Sequence, residues 1–293
     1  MTAPPPMVSH VCSALLGLPA RSAERLKAGS RTAVYRASVR DGRSVIVKLY
    51  AHTARRNALT EATAMRAAAA AVPVPKILGC GTTNSEGASA LITADLGRST
   101  LGAAVRSGRV PRDQALKELG GLLSRLHRVP VAKPVPRRPF VDAVSSLSRR
   151  CPGELIDRIA PAISVIANTP DSAPTVWCHG DPHLDNVIPS GSQQARHLVD
   201  FTDSAPGRRE SDIAHALVMT AAHAPWERHA LTAAYTLALD ETLLSAWTVF
   251  VTVRSWAHAT PGTERALWSV RLAELTHRTP HFFNGPLTEW SPS

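Results

Sequence analysis

Aromatic residues are scarce, at 5% of 293 residues. Phe and Tyr are not interleaved with the basic residues, so stacking on bases has little to work with and a nucleic-acid partner is not expected. The four cysteines, Cys12, Cys80, Cys151 and Cys178, are scattered and form no CxxC pair. That excludes a zinc cage and a dithiol redox motif, and fits reduced thiols in a cytoplasmic protein. No run of eighteen or more uncharged apolar residues occurs, so no membrane span is expected. The start, Met1-Thr2-Ala3-Pro4-Pro5-Pro6, lacks a basic stretch followed by an apolar core, and no signal peptide is expected. There is no internal repeat, no HExxH and no GxGxxG.

What is present is a chain 44% hydrophobic and long enough for two lobes. Its net charge of +10 is unevenly placed: residues 1–98 hold 13 Lys+Arg against 5 Asp+Glu, and the rest hold 20 against 18. A basic first third suits a polyphosphate ligand, or a solvated Arg-rich surface.

Local patterns give a strand-rich beginning and a helical remainder. Residues 8–17 read as a helix. Val34, Tyr35 and Val39 favour a strand, Asp41-Gly42 is a hairpin signal, and Ser44–Tyr50 is the return strand. Residues 54–71 read as a helix ended by Val72-Pro73-Val74-Pro75. Strands follow at 76–80 and 88–94 around a turn-rich stretch. Helices are expected at 99–106 and 112–128, the latter with Leu116, Leu119, Leu122, Leu123 and Leu126 at helical spacing. Residues 130–139 make a Pro/Arg-rich loop, 153–168 a helix, and 175–178 and 196–199 short buried strands. From Asp212 to the late 270s the pattern is helical, broken by Pro225 and Pro261, with an irregular tail from Pro280. The lobe boundary falls near 95–98, giving lobes of 1–97 and 98–293.

The strongest chemical signal is His179-Gly180-Asp181-Pro182-His183-Leu184-Asp185-Asn186 on a loop after a short apolar strand, with Asp200 closing the next such strand in Leu198-Val199-Asp200-Phe201. Phosphoryl transfer needs one carboxylate to orient the attacking hydroxyl and two oxygen ligands to hold Mg2+ against nucleotide phosphates. In the first lobe, Lys48 lies on the return strand and Glu61 in the next helix, the pairing by which kinases hold a phosphate-binding lysine.

These residues resemble the aminoglycoside phosphotransferase and choline kinase-like superfamily: an HGD, an Asn five residues after the Asp, an apolar-Asp-Phe strand end, then Gly207 and Asp212. The resemblance implies an α+β, two-lobed, protein-kinase-like fold, with an antiparallel sheet and helix in the N-lobe and a mainly helical C-lobe. It implies Asp181 as catalytic base, Asn186 and Asp200 as Mg2+ ligands, Lys48 and Glu61 at the nucleotide phosphates, and Asp212 as a structural residue. The loop Ala28-Gly29-Ser30-Arg31-Thr32-Ala33 departs from GxGxxG, but the Ser-rich version found in such relatives can still donate to phosphate, through Ser30 among others. Residues 91–97 resemble the hinge, whose backbone around Thr93, Ala94 and Asp95 would bind adenine. ATP is the expected nucleotide, GTP the alternative.

Several other residues carry two readings. His179 shapes its loop or acts as a base; His183 hydrogen-bonds locally or supports Asp181. A Cys178–His179 pair is rejected, since strand neighbours point to opposite faces. Trp226, Trp247, Trp256 and Trp268 are core or the wall of an acceptor pocket. Asp203, Glu210, Asp240 and Glu241 are surface or face a cationic acceptor, Asp203 being nearest to Asp200 in sequence. The stretches Leu119–Pro130 and Val199–Asp203 resemble hygromycin-type enzymes. The expected activity is therefore O-phosphorylation of a cationic antibiotic, an aminoglycoside or a tuberactinomycin peptide such as capreomycin or viomycin, conferring resistance. A kinase for choline, a sugar or an amino alcohol is the second reading, and a non-catalytic nucleotide-binding relative the third. The lack of DFG and APE argues against a protein kinase.

Overall fold

A computed structural model describes residues 3–28, 32–51, 56–83, 89–131, 140–170, 175–190, 195–222 and 224–285. The chain forms two compact units, Met1–Val110 with Asp185–Ser204, and Pro111–Leu184 with Ala205–Ser293.

The first unit begins with helix α1 (Pro6–Leu16), which starts on a proline at N1, where no N–H is missed. It stops at Gly17, whose φ of 71° lets its N–H reach Ser13 O at 3.0 Å. Strands β1 (Ala20–Ala28), β2 (Thr32–Val39), β3 (Ser44–Tyr50), β4 (Ile77–Thr82) and β5 (Ser89–Ala94) form one antiparallel sheet in the order β1-β2-β3-β5-β4. The β2–β3 turn rests on Gly42 at φ 88° and on Asp41, whose carboxylate accepts the Arg43 N–H at 3.0 Å. Strand alternation then sorts the side chains of β3. Val45 and Val47 join Val8, Val11 and Cys12 of α1 in a buried core with Ala37, Val39, Ala90 and Ile92. Lys48 and Tyr50 turn the other way, toward Glu61 of helix α2 (Arg56–Ala68). Helix α3 (Leu101–Arg106) is capped by Thr100, which accepts the Ala103 N–H. A two-stranded ribbon, β7 (Val187–Ser190) with β8 (Ala195–Leu198), completes this unit.

The second unit holds α4 (Arg112–Leu126), α5 (Phe140–Ser148), α6 (Gly153–Arg158), α7 (Ala160–Ala167), α8 (Arg209–Met219), α9 (Pro225–Ala233), α10 (Glu241–His258) and α11 (Thr263–Arg278), with β6 (Val176–Cys178) paired to β9 (Ala205–Gly207). Helix α10 is apolar nearly all round and packs against α7, α8 and α11, which accounts for its burial. The five leucines of α4 are all buried. Gly120 brings α4 against α9 so closely that an added β-carbon would lie 2.1 Å from Leu231 O. Among the described residues no helix is long and apolar enough to cross a membrane.

Four elements escape the sequence patterns: β1, β7, β9 and α5. Strand β1 reads Ala-Arg-Ser-Ala-Glu-Arg-Leu-Lys-Ala, without β-branched residues, and lies at a sheet edge, where charge is tolerated. The expected helix 153–168 is two helices, because Pro161 lacks the N–H that a continuous helix would need there. The helical run breaks ahead of Pro225, as expected, and Pro225 starts α9. Helix α8 begins at Arg209, so Asp212 lies in its first turn and does not open it. Of the four tryptophans of the late helices, Trp256 and Trp268 are core; Trp226 is 59% exposed and is not. Trp247 is half-buried against Phe140 and Phe250.

Candidate active site

In the first unit a buried polar cluster forms around Glu61, which is 3% exposed. Its carboxylate accepts from Lys48 Nζ at 3.1 Å (Oε1), from the Phe201 N–H at 3.1 Å and from the Tyr50 hydroxyl, with Thr202 Oγ1 at 3.0 Å. Lys48 Nζ also lies 2.6 Å from Asp200 Oδ1 and donates to Thr202 Oγ1. Burial alone would lower the Lys48 pKa, but the Glu61 and Asp200 carboxylates reverse this and raise it, so the ammonium stays charged. Burial, then the Glu61 charge, raises that of Tyr50, leaving a neutral donor. The structure thus brings Lys48, Glu61 and Asp200 together.

Asn186 and Asp200 come to the same end of the β7–β8 ribbon. Val187 pairs with Leu198, and beyond that pair the Val199 N–H donates to Asn186 O at 3.0 Å. One amide and one carboxylate offer oxygen only, a donor set that suits Mg2+ and fits the metal that the motif implies. Asp200 has φ 64°, a region its β-carbon disfavours, and such strain gathers at functional sites. Next to Asn186, Asp185 is tied to Thr100 Oγ1 at 2.6 Å and to Arg106 by two bonds of 2.9 Å. Asp203 is half-buried in the turn after Phe201, where the Ser204 N–H meets Phe201 O at 3.1 Å.

Thr93 is buried on β5 and pairs with Ile46 and Ile77. The Asp95 carboxylate accepts from Arg36 Nε at 2.7 Å, Ser44 Oγ at 2.6 Å and the Gly97 N–H at 3.0 Å. Burial raises its pKa, and these donors, Arg36 foremost, outweigh that and lower it. The Ala94 N–H donates to Lys76 O at 2.9 Å. Asp95 therefore fastens this segment through its side chain. Ser30 lies outside the described residues.

In the second unit, the loop carrying Asp181 is held from α8. Asp212 accepts the His179 N–H at 2.8 Å and the Gly180 N–H at 2.9 Å, and pairs with His127 Nε2 at 2.9 Å. Because a carboxylate only accepts, Nε2 of His127 carries a proton; Nδ1 lies 2.7 Å from the Tyr235 hydroxyl. Burial raises the Asp212 pKa, but the His127 hydrogen bond leads the contacts that lower it. His127, Cys178 and Asp212 lie close enough to suggest a metal site. Their atoms are spent on one another, on loop amides and, for Cys178 Sγ, on Arg208 O, so this is a hydrogen-bonded scaffold.

Asp181 is half-buried, with each oxygen approached by an imidazole: His183 Nε2 at 3.4 Å from Oδ2 and His215 Nε2 at 3.4 Å from Oδ1. Burial pushes its pKa up, but hydrogen bonding and charge from His183, then His215 and His179, bring it down to about 2. Its own N–H faces His179 Nδ1 at 3.4 Å, a loop-shaping role for that histidine. Of the remaining acidic candidates one is buried and two are exposed. Glu210 is buried beside Arg209, Asp240 caps α10, and Glu241 pairs with Arg228. His215, Arg254, Tyr50, Thr202 and Tyr235 were not legible as site residues, although His215 follows Asp212 by three positions and so shares its helix face.

The phosphotransferase enzyme family model matches residues 22–247. The chain belongs to that family. It is a phosphotransferase acting on a hydroxyl-bearing substrate, and its fold is α+β and kinase-like. No curated protein is significantly similar in sequence. Among solved structures, the choline kinase LicA from Streptococcus pneumoniae aligns with TM-score 0.70 and 14% identity over 93% of this chain and 98% of that one. The GDP complex of aminoglycoside 2'-phosphotransferase-IIIa gives TM-score 0.64 and 16% identity over 93% and 96%. The streptomycin–ATP complex of APH(2")-IIa gives 0.60 and 11% over 94% and 97%. At such identities what this phosphotransferase shares with them is the fold.

Proposed function

We propose that this phosphotransferase moves the γ-phosphoryl group of ATP to a hydroxyl of a small cationic molecule. The observation that carries the reading is the joining of Lys48, Glu61 and Asp200 in one buried cluster, with Asn186 at the same ribbon end as Asp200. Lys48, steadied by Glu61, holds nucleotide phosphates. Asn186 and Asp200 would hold Mg2+, which supplies charge neutralisation to the phosphates when bound. Asp181 accepts a hydrogen bond from the acceptor hydroxyl and aligns it for attack. Its pKa of about 2 keeps it ionised at neutral pH, and a loose transition state asks more for alignment than for a strong base. The nucleotide-binding lobe spans 1–97, with the hinge around Thr93 and Asp95, and the acceptor lobe spans 98–293. Ser30 contributes to phosphate binding and Asp203 to the acceptor.

Choline, streptomycin and aminoglycosides, named for the compared proteins, are all cationic alcohols. The antibiotic reading, an aminoglycoside or a capreomycin/viomycin-type peptide in the cytoplasm, follows from this and from Val199–Asp203. Added phosphate would weaken binding of such a cation to ribosomal RNA. A choline-like metabolite kinase is the alternative, favoured by Glu210, whose carboxylate is buried beside Arg209 and so adds no charge toward a polycation. The test is mass spectrometry of a panel of antibiotics and amino alcohols incubated with enzyme, ATP and Mg2+, with Asp181→Asn as control. A phosphoryl-mass gain on one compound, absent with the variant, is expected. Equal turnover by the variant would remove Asp181 from the role.

A further inference from the structure

We propose that His215, fixed from behind by Arg254, is a positioning residue that orients the Asp181 carboxylate through its Nε2–H. The inference rests on the assignment of Asp181 to the acceptor hydroxyl.

The tautomer follows from the donors. Arg254 Nη2 lies 3.2 Å from His215 Nδ1, and a guanidinium can only donate. Nδ1 is therefore the acceptor, and the imidazole proton sits on Nε2, which faces Asp181 Oδ1 at 3.4 Å. The three groups form a line from cation through neutral ring to anion. Donation into Nδ1 withdraws electron density from the ring and makes Nε2–H a stronger donor to the carboxylate. His215 is buried. Burial foremost, then the Arg254 charge, pulls its pKa down to about 4, against the opposing pull of Asp181 and Asp212, with His183 adding to the lowering. At neutral pH the ring therefore offers Asp181 a dipole, not a charge.

The placement on α8 strengthens the case. Asp212 and His215 are three residues apart and share a helix face. Asp212 grips the loop backbone at His179 and Gly180, while His215 reaches the Asp181 side chain from the same helix. The 3.4 Å separation is long for a hydrogen bond, and catalytic contacts of this kind tighten when substrate engages. Each carboxylate oxygen has its own imidazole, His183 from the loop and His215 from the helix, so rotation of the Asp181 carboxylate is opposed at both ends.

The sign of the pH response is set by the depressed pKa. The fold prefers neutral His215, so its contribution is complete above the ordinary histidine value near 6.5 and is lost as pH falls toward 4. In the folded enzyme the ring gains its second proton only near pH 4; Nδ1–H then opposes Arg254 and the alignment breaks.

The experiment has a structural arm and a kinetic arm. Imidazole 15N shifts of the full-length protein at pH 7 should show His215 neutral with its proton on Nε2; a proton on Nδ1, or an imidazolium, would overturn the inference whatever the activity. In the kinetic arm, the compound phosphorylated by wild-type enzyme in the panel above is used. His215→Leu should lower kcat about 10- to 100-fold, the scale of a misplaced reacting group, with nucleotide KM within about twofold. The acid limb near pH 4, set in wild-type enzyme by protonation of His215, should be lost. His215→Gln, which restores an N–H at the Nε2 position, should recover most of kcat, and Arg254→Met should add little in the His215→Leu background. His215→Leu with wild-type kcat and an unmoved acid limb sinks the inference while leaving the phosphotransferase reading intact. A wild-type enzyme that binds ATP yet phosphorylates nothing in the panel overturns that acceptor reading and this inference with it.

Discussion

Replacing Asp212 by Ala asks whether α8 holds the Asp181 loop through a single carboxylate. That carboxylate takes the His179 N–H at 2.8 Å, the Gly180 N–H at 2.9 Å and His127 Nε2 at 2.9 Å; His179, His127 and Asp212 are buried and Gly180 is half-buried. Truncation strands three donors, two of them buried and the Gly180 N–H partly so. Each stranded donor costs about 1–3 kcal/mol, so the sum runs from roughly 3 to 9 kcal/mol. A value of about 4 kcal/mol lies inside that range and sets the scale for the assay. The loss is local to the loop, so the assay should be local. Peptide-resolved hydrogen exchange should show the His179 and Gly180 amides exchanging roughly a thousandfold faster, which is what about 4 kcal/mol gives when opening is a fast pre-equilibrium ahead of chemical exchange. Asp212→Asn should fall between, since one oxygen still accepts while its NH2 turns a donor toward a donor. The Asp212 pKa is lowered in the fold, so the stabilisation is present above the ordinary carboxylate value and disappears as pH falls through the depressed one. Unchanged protection of both amides in Asp212→Ala would refute the idea that this residue holds the loop.

Glu61→Gln should leave the fold intact but uncouple Lys48, lowering kcat/KM for Mg·ATP by about 10- to 100-fold, or about 1.4–2.7 kcal/mol of transition-state binding; steady-state kinetics at fixed acceptor would show it, and wild-type efficiency would deny Glu61 its role. Gly120 and its neighbour make a matched pair. Gly120→Ala drives a β-carbon into Leu231 O and should cost about 3 kcal/mol or more in urea unfolding, whereas Gly121→Ala meets only the tip of Arg125 at 3.8 Å and should stabilise by about 1 kcal/mol.

The parts of the site that could be read in advance are those tied together by short chain segments. Lys48 and Glu61 are separated by one strand end and one helix turn, 13 residues, and the HGD loop and Asp200 flank a single hairpin. Spacing within such units is set by backbone geometry, so residue type and position together carry the chemistry. The contacts that escaped are long-range: His215 with Arg254 at a separation of 39, His127 with Tyr235 at 108, Lys48 with Thr202 at 154. Their meeting is decided by helix packing, and nothing in their local sequence marks them. The fold shows the same division. Hairpins and amphipathic helices with strong periodicity were legible, while β1, built from Ala, Ser and charges, becomes a strand only because β2 offers it an unpaired edge.

At Asp200 the backbone and the chemistry pull in opposite directions. At φ 64° an L-residue pays about 1–2 kcal/mol, and only glycine avoids it. The Lys48 ammonium at 2.6 Å makes the carboxylate worth keeping at that cost. Comparing Asp200→Gly with Asp200→Ala isolates the backbone, since both variants lose the same carboxylate and the same partner. At an ordinary φ, Ala would be the more stable by about 0.4–1 kcal/mol, because Gly has more unfolded-state freedom to lose. At a left-handed φ the order inverts, and Gly should exceed Ala by roughly 1 kcal/mol in chemical unfolding. Both variants should be inactive. Inactivity with Gly above Ala means that the strain is retained for the carboxylate's position; Ala above Gly would mean that the loop carries no strain at Asp200.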